Sequence, residues 1–243
     1  MSVSLFFAFP GVPHVKAVFL QRDTVSDSPY AGGNISYEVG DDPLRVTEER
    51  ETILARHAAD GLRILTDVHQ VHGDRLLFDP QAQCSCEDCD GLATRQKGQG
   101  LLIKTADCQP VLLTDRAGSA VLALHIGWRG NRNGFIESAI AAFCTRYALK
   151  ACDLLAVRGP SLGPAKAEFI HFDLEWGPEF APWFDRKSQC MDLWAITRWQ
   201  LTRAGLPEKS IFGLDLCTES NPSFFSFRRK KVCGRQGGLI WIA

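Results

Sequence analysis

Long apolar runs are missing from this chain of 243 residues. No stretch approaches the ~20 consecutive apolar residues that cross a bilayer, so a membrane-spanning helix is not expected. Charge of one sign is missing too: 27 Lys and Arg stand against 28 Asp and Glu, for a formal net charge of −1. That balance offers no general attraction to nucleic acid or to a membrane surface. The opening MSVSLFFAFPG has a short apolar run with no basic region before it, which makes a poor secretion signal. Internal repeats and low-complexity linkers are also lacking. A single cytoplasmic domain over residues 1–243 is the expectation. Histidine and methionine are scarce, at 6 and 2 residues, which limits how many imidazole or thioether metal centres the chain can build.

Cysteine, by contrast, is plentiful at nine residues. The number is odd, and Cys144, Cys152 and Cys217 lie in apolar or helical surroundings. Without a secretion signal, reduced thiols fit better than a disulfide framework. Apolar residues at 45% and charged residues at 23% are ordinary for a globular chain.

Strand signals fall at Val15–Leu20, 63–66, 153–158, 210–216, 224–227 and 239–242. Helical spacing is found at 47–59, 134–148 and 193–204, the last followed by Gly205 as a stop. Residues 26–42 and GPSLGP (159–164) read as loops. VHQVHGDRLLF (68–78) reads as extended, with a break at Gly73. Strands follow strands in some places and helices in others. This predicts a mixed α/β (α+β) sandwich of β-sheets flanked by helices rather than an alternating βαβ fold.

The densest pattern is LLIKTADCQPVLLTDRAGSAVLALHIGWRG, residues 101–130. Two apolar runs, 110–114 and 120–126, flank the turn DRAG and read as a hairpin. Asp115 and Gly118 suit the first and last positions of a type I turn. Pairing those two sets Cys108 opposite His125 on one face, with Cβ atoms roughly 5 Å apart. A slip of one residue would send them to opposite faces. A thiol in an apolar run is usually core. At the open end of a hairpin, however, a Cys/His pair suits a metal site or a nucleophile and its base.

Of the other histidines, His14 reads as a surface residue in a Pro-rich turn, His57 as partly exposed on a helix, and His171 has no evident partner. His69 and His72 should point to opposite faces of an extended segment. His72, just before Gly73, is the better placed, because the backbone can open there. His72, Cys108 and His125 make a His₂Cys set that suits Zn²⁺ and leaves a fourth position open. Copper takes the same ligand types but generally adds a methionine, and only Met1 and Met191 are available. Asp90, Asp107 and Glu168 are candidate acid/base or supporting carboxylates, or plain turn and surface groups. Arg129, between two glycines, could meet an anion such as phosphate or form a structural ion pair. Cys84, Cys86 and Cys89 form C-x-C-x-x-C, which is either a thiolate metal group or an incidental insertion.

QVHG (70–73), DGLAT (90–94), TADCQPVLL (105–113), ALHIGWRG (123–130), GPSLGP (159–164), CTES (217–220) and FFSFRR (224–229) occur in this order. Over nearly its whole length the chain resembles the YfiH/LACC family, also described as polyphenol oxidase or multicopper laccase-like. The resemblance implies a mixed α/β fold likened to the catalytic domain of a deamidating toxin with a Cys/His pair. It implies a zinc site on His72, Cys108 and His125, with copper as the older ascription.

The activities it implies are phosphorolysis of adenosine, inosine, guanosine and methylthioadenosine, and deamination of adenosine. Oxidation of phenols is the older assignment. The partners implied are purine nucleosides and phosphate, acting on a monomer or weak homo-oligomer. By the same resemblance Cys108, Asp90 and Arg50 are catalytic, with Asp90 shuttling protons. Asn34, Gln70 and Arg129 are substrate-binding. Glu38 stands where the family usually has His, Glu49 where it has Asn, and Lys166-Ala167-Glu168 where it tends to Cys-Tyr-Glu. A metal-free hydrolase, with Cys108 as nucleophile and His125 as base, is the alternative.

Overall fold

The computed structural model describes residues 4–23, 28–30, 32–81 and 87–243. The chain enters through an antiparallel pair, β1 (Ser4–Ala8) and β2 (Val15–Leu20). Helix α1 (Pro43–His57) begins where Asp42 accepts from the Leu44 N–H, with Pro43 in the first turn. It starts four residues before the predicted 47, because cap chemistry and not apolar spacing marks a first turn. Then come β3 (Ile64–Thr66), β4 (Leu76–Phe78), β5 (Gly91–Thr94), β6 (Gln99–Thr105), β7 (Gln109–Asp115) and β8 (Val121–Ile126). A short helix α2 (Trp128–Arg132) leads into α3 (Phe135–Tyr147), whose predicted apolar stripe is buried. The chain closes with β9 (Leu154–Arg158), α4 (Phe172–Glu175), β10 (Phe184–Asp185), β11 (Cys190–Met191), α5 (Leu193–Arg203), β12 (Ile211–Gly213) and β13 (Gln236–Ile242).

Two sheets face each other. The first runs β1-β2-β13-β6-β3 and the second β12-β9-β7-β8-β5-β4. Phe19, Leu101, Ile103 and Ile240 of the first pack with Leu112, Ala123, Leu155 and Val157 of the second. The outer face of the first sheet is covered by α1 through Ile53, beside Leu102, Leu239 and Trp241. The outer face of the second is covered by α3, whose Phe135, Ile136, Ile140 and Phe143 meet Val111, Leu113, Leu122 and Leu124. The result is helix, sheet, sheet and helix in layers, the predicted mixed sandwich. Both sheets are buried on two faces, which is why β6, β7, β8 and β13 read as continuous rather than alternating apolar runs. No helix among the described residues is long and apolar enough to cross a membrane.

The central hairpin forms with a different register. The Asp115 carbonyl accepts from the Gly118 N–H at 2.8 Å, as a type I turn requires. The ladder does not start there. The Asp115 carboxylate also accepts from the Ser119 and Ala120 N–H groups, at 2.7 and 3.0 Å, and holds residues 116–120 as a loop. Pairing begins at Thr114↔Val121, so Pro110 and not Cys108 lies opposite His125. The slip is two residues. A two-residue slip preserves the face, so Cys108 and His125 still share one side of the hairpin.

Residues 224–227 do not form the predicted strand. The Phe225 N–H and carbonyl are paired instead by the side-chain amide of Gln236, at 2.6 and 3.1 Å. Arg229 caps the carbonyls of Thr218, Glu219 and Phe224. Side chains thus replace a ladder. The 68–78 segment is extended only at its end, in β4.

Candidate metal centre and its cavity

His72, Cys108 and His125 converge, with one ligand atom from each lying within 4.8 Å of the others. The Cys108 Sγ is 3.8 Å from His72 Nε2. The His72 and His125 rings meet edge to face with centroids 4.8 Å apart. His125 is supplied by the end of strand β8 and Cys108 by the bend between β6 and β7. His72 comes from the bend before β4 and adopts φ +59°, while Asp107, beside Cys108, has φ +97°. Two left-handed non-glycine residues next to one cluster mark a geometry imposed by the surroundings.

Those surroundings are explicit. Asp90 is fully buried. As an ionised carboxylate it can only accept, and it does so four times. It takes Nδ1 of His125 at 2.6 Å and the backbone N–H groups of Val71, His72 and Gly73 at 3.2, 3.0 and 2.6 Å. One carboxylate therefore turns the His125 ring so that Nε2 is presented, and bends the chain that carries His72. Burial opposes the Asp90 charge, but His125 and these N–H donors hold its pKa below the usual carboxylate value.

Gly127 provides the room. A Cβ there would lie 3.2 Å from Cys108 Sγ and 3.1 Å from the His72 ring. Asp107 anchors the other side: its carboxylate accepts from the Thr218 hydroxyl at 2.7 Å and the Arg228 N–H at 2.6 Å. The CTES and FFSFRR segments are tied to the cluster in this way.

Burial disfavours a Cys108 thiolate, yet the facing His125 and His72 outweigh it and bring the thiol down to about 6. Burial likewise opposes a charged His125, but Cys108 and Asp90 lift it to about 9. Two imidazoles and a thiolate, one imidazole backed by a carboxylate, are the donor types and support that Zn²⁺ takes. The Sγ–Nε2 separation is close to the edge of such a coordination tetrahedron. The residues present fit a metal. Without one, the same charges would describe a thiolate beside an imidazolium, the arrangement of a cysteine nucleophile and its base.

The cluster opens onto a cavity of about 710 Å³. Gln70 and Arg129, the two expected substrate-binding residues, both line it. Arg129 lies 4.4 Å over the Trp128 ring and has no carboxylate partner among the described residues. Gln70 spends its amide on the Lys104 backbone, at 2.8 Å in each direction. Three other residues are corrected. Asp90 does not line the cavity, and its acceptor positions are taken, so it positions His125 rather than passing protons to a substrate. Arg50 is turned to Asp67 and the Ile35 carbonyl. Asn34 is buried and holds the Ser36 carbonyl, Asp41 and the Arg235 N–H. Neither Arg50 nor Asn34 lines the cavity. Both shape the loop that carries Glu38, which does.

His69, the rejected candidate, pairs instead with Asp88 at 2.7 Å. Cys89 is a fully buried core residue beside Val68 and Leu92, not an available thiolate. Cys84 and Cys86 lie outside the described residues. The seven described cysteines are all free. Sequence reasoning missed the cavity's aromatic wall, Trp128, Phe169 and Phe227, whose only signal was that aromatics cluster near the glycine-rich motifs.

Comparison with known proteins agrees in sequence and in shape. A family model described as multi-copper polyphenol oxidoreductase laccase matches residues 16–243. The purine nucleoside phosphorylase YfiH of Shigella flexneri is 32% identical over 90% of this chain and 89% of its own. A purine nucleoside phosphorylase of Xylella fastidiosa is 34% identical over 96% and 95%. The crystal structure of a Neisseria meningitidis protein superposes with a TM-score of 0.85 at 28% identity, covering 98% of both chains. A Bacillus licheniformis protein, YfiH, superposes at 0.81 with 23% identity over 94% and 93%, a likeness of fold. With its length matched almost throughout, the chain belongs to the YfiH/laccase-domain family.

Proposed function

We propose that this chain is a zinc-dependent purine nucleoside enzyme that phosphorolyses adenosine, inosine, guanosine and methylthioadenosine and deaminates adenosine. The observation that carries the reading is the His72–Cys108–His125 cluster opening onto a cavity whose wall bears the unpaired Arg129. Relatives named purine nucleoside phosphorylase, matched over nine-tenths of this chain, support the substrate class.

In this reading each group has a stated task. The Cys108 thiolate and the two imidazoles would hold the metal, which when bound would supply a Lewis acid. Asp90 keeps the Nδ1 proton of His125 and so leaves Nε2 free as a donor atom. Arg129, stacked on Trp128, offers a planar pair of N–H donors to phosphate. Trp128 and Phe169 give a planar base an apolar face.

Copper chemistry on phenols is the weaker reading. Only one group of three or more suitable donors is found among the described residues. Met191, the thioether that a copper site would need, is buried in the aromatic layer and does not line the cavity. Metal analysis of the purified protein, followed by incubation with adenosine with and without phosphate, tests the proposal. Adenine and ribose 1-phosphate report phosphorolysis, and inosine reports deamination. Absence of both from metal-loaded protein refutes it.

A further inference from the structure

The cavity has two unlike walls. One is polar and comes from the 36–39 segment and the end of the first sheet: Ser36, Glu38, His69, Gln70 and Lys104. The other is apolar: Trp128, Phe169, Ile170, Leu193 and Phe227. The metal cluster joins them. Gln70 lies two residues before His72, and Trp128 follows Gly127, which packs on Cys108.

Glu38 is the carboxylate of the polar wall. Its Oε2 is engaged by Lys104 Nζ at 3.1 Å and by the Ser36 hydroxyl at 3.4 Å. Its Oε1 has no partner among the described residues, and the side chain is 40% exposed. The other cavity carboxylates are differently placed. Asp107 is consumed by Thr218 and Arg228, Glu168 lies beside Arg228, and Glu175 ends α4, in the segment that also brings Phe169 and Ile170 to the apolar wall. Lys104 is itself pinned by Asp67 at 2.8 Å and the Val68 carbonyl at 3.0 Å. Glu38 is thus held at one oxygen by a rigid base, with the second unengaged among the described residues, on a side chain that lines the cavity.

We propose that Glu38 contacts the substrate and accepts hydrogen bonds from the 2′- and 3′-hydroxyls of its ribose. The protein then selects ribonucleosides over deoxyribonucleosides. The inference rests on the proposed function and names the part of the cavity that reads the sugar. A carboxylate only accepts, and the vicinal hydroxyls are the donors that every purine ribonucleoside presents. The donors on the base edge differ between adenine, hypoxanthine and guanine, whereas the vicinal diol is the same in all of them, so one fixed carboxylate suits the sugar. The flat base suits the aromatic wall instead. Seated this way, the glycosidic bond lies between the walls, where the cluster and Arg129 are.

The test compares inosine, 2′-deoxyinosine and 3′-deoxyinosine on metal-loaded wild type and Glu38→Gln, by kcat/KM and by calorimetric binding. Lys104 keeps Asp67 and Val68 in the variant, so the fold and the metal should be retained. The amide oxygen will turn to Lys104 and present its NH₂, a donor, to the sugar. A hydrogen bond to a charged group supports a preference for inosine of about 10-fold or more in the wild type. Glu38→Gln should lower inosine most and each deoxy analogue less, because each analogue keeps only one of the two hydroxyls that Glu38 accepts from, and the gap between them should shrink. Glu38→Ala should do the same, without the new donor. An equal fall for all three substrates, or no ribose preference in the wild type, overturns the assignment while the nucleoside reading stands. Failure of metal-loaded wild type to bind or turn over any purine nucleoside overturns both.

Discussion

Asp90 Oδ1 lies 2.6 Å from His125 Nδ1, and the same carboxylate binds the backbone that carries His72. One buried group therefore positions two of the three residues of the candidate metal centre. Asp90→Asn places an NH₂ where N–H donors already point. We expect metal affinity to fall about 10- to 100-fold. Stability should fall by about 3 kcal/mol, the size of effect seen when one partner of a buried ion pair is removed. Zinc titration and thermal unfolding check both. Wild-type affinity in the variant would mean that His125 is oriented by something else.

Gly127 has φ −79° and ψ 174°, a conformation that alanine adopts freely. Its Cβ, however, would crowd Cys108 Sγ at 3.2 Å and His72 at 3.1 Å. Gly127→Ala should keep the fold while displacing the cluster by a few tenths of an ångström. The expected signature is weakened metal binding with little change in Tm of the metal-free protein. A drop in that Tm as large as the loss of binding would assign Gly127 to packing alone.

Under the proposed function, Cys108→Ala should lose metal and turnover together, because there the thiolate would be both a ligand and the group whose charge couples to His125. Metal content and adenosine turnover are measured on the same preparation. A variant that keeps its zinc and loses activity would make Cys108 a nucleophile and favour the hydrolase alternative.

Asp67 is buried, which opposes its charge, but Arg50 and Lys104 hold its pKa below the ordinary 3.8. A carboxyl depressed on folding stabilises fully above its unfolded pKa. It loses that contribution as pH falls through the lower folded value. Asp67→Asn should therefore be less stable than wild type at neutral pH, and the gap should narrow as pH drops below about 3.8. Urea unfolding across pH 7 to 2.5 measures it. A gap that does not change with pH would assign the loss to geometry rather than charge.

The chain's own pattern was enough for most of the strands and helices, though not at 224–227, and for placing His72, Cys108 and His125 in one candidate set. Buried strands announce themselves as unbroken apolar runs, and α3 by its stripe. Cys108 and His125 follow from face parity, which survives any even slip, so the pair was readable even though the register was not. The register depended on Asp115, whose carboxylate binds the Ser119 and Ala120 N–H groups and opens the loop, a choice that strand propensity does not encode. His72 was preferred over His69 for a glycine next to it. What decided the matter was the fold, which brings Asp90 beneath residues 71–73 and Asp88 to His69. Asp90, Arg50 and Asn34 looked like substrate groups because charge and motif say only that a residue has a partner. Which partner it has, a ligand or the protein's own backbone, is settled by burial and direction. Those exist only once two sheets, far apart in the chain, close over one another.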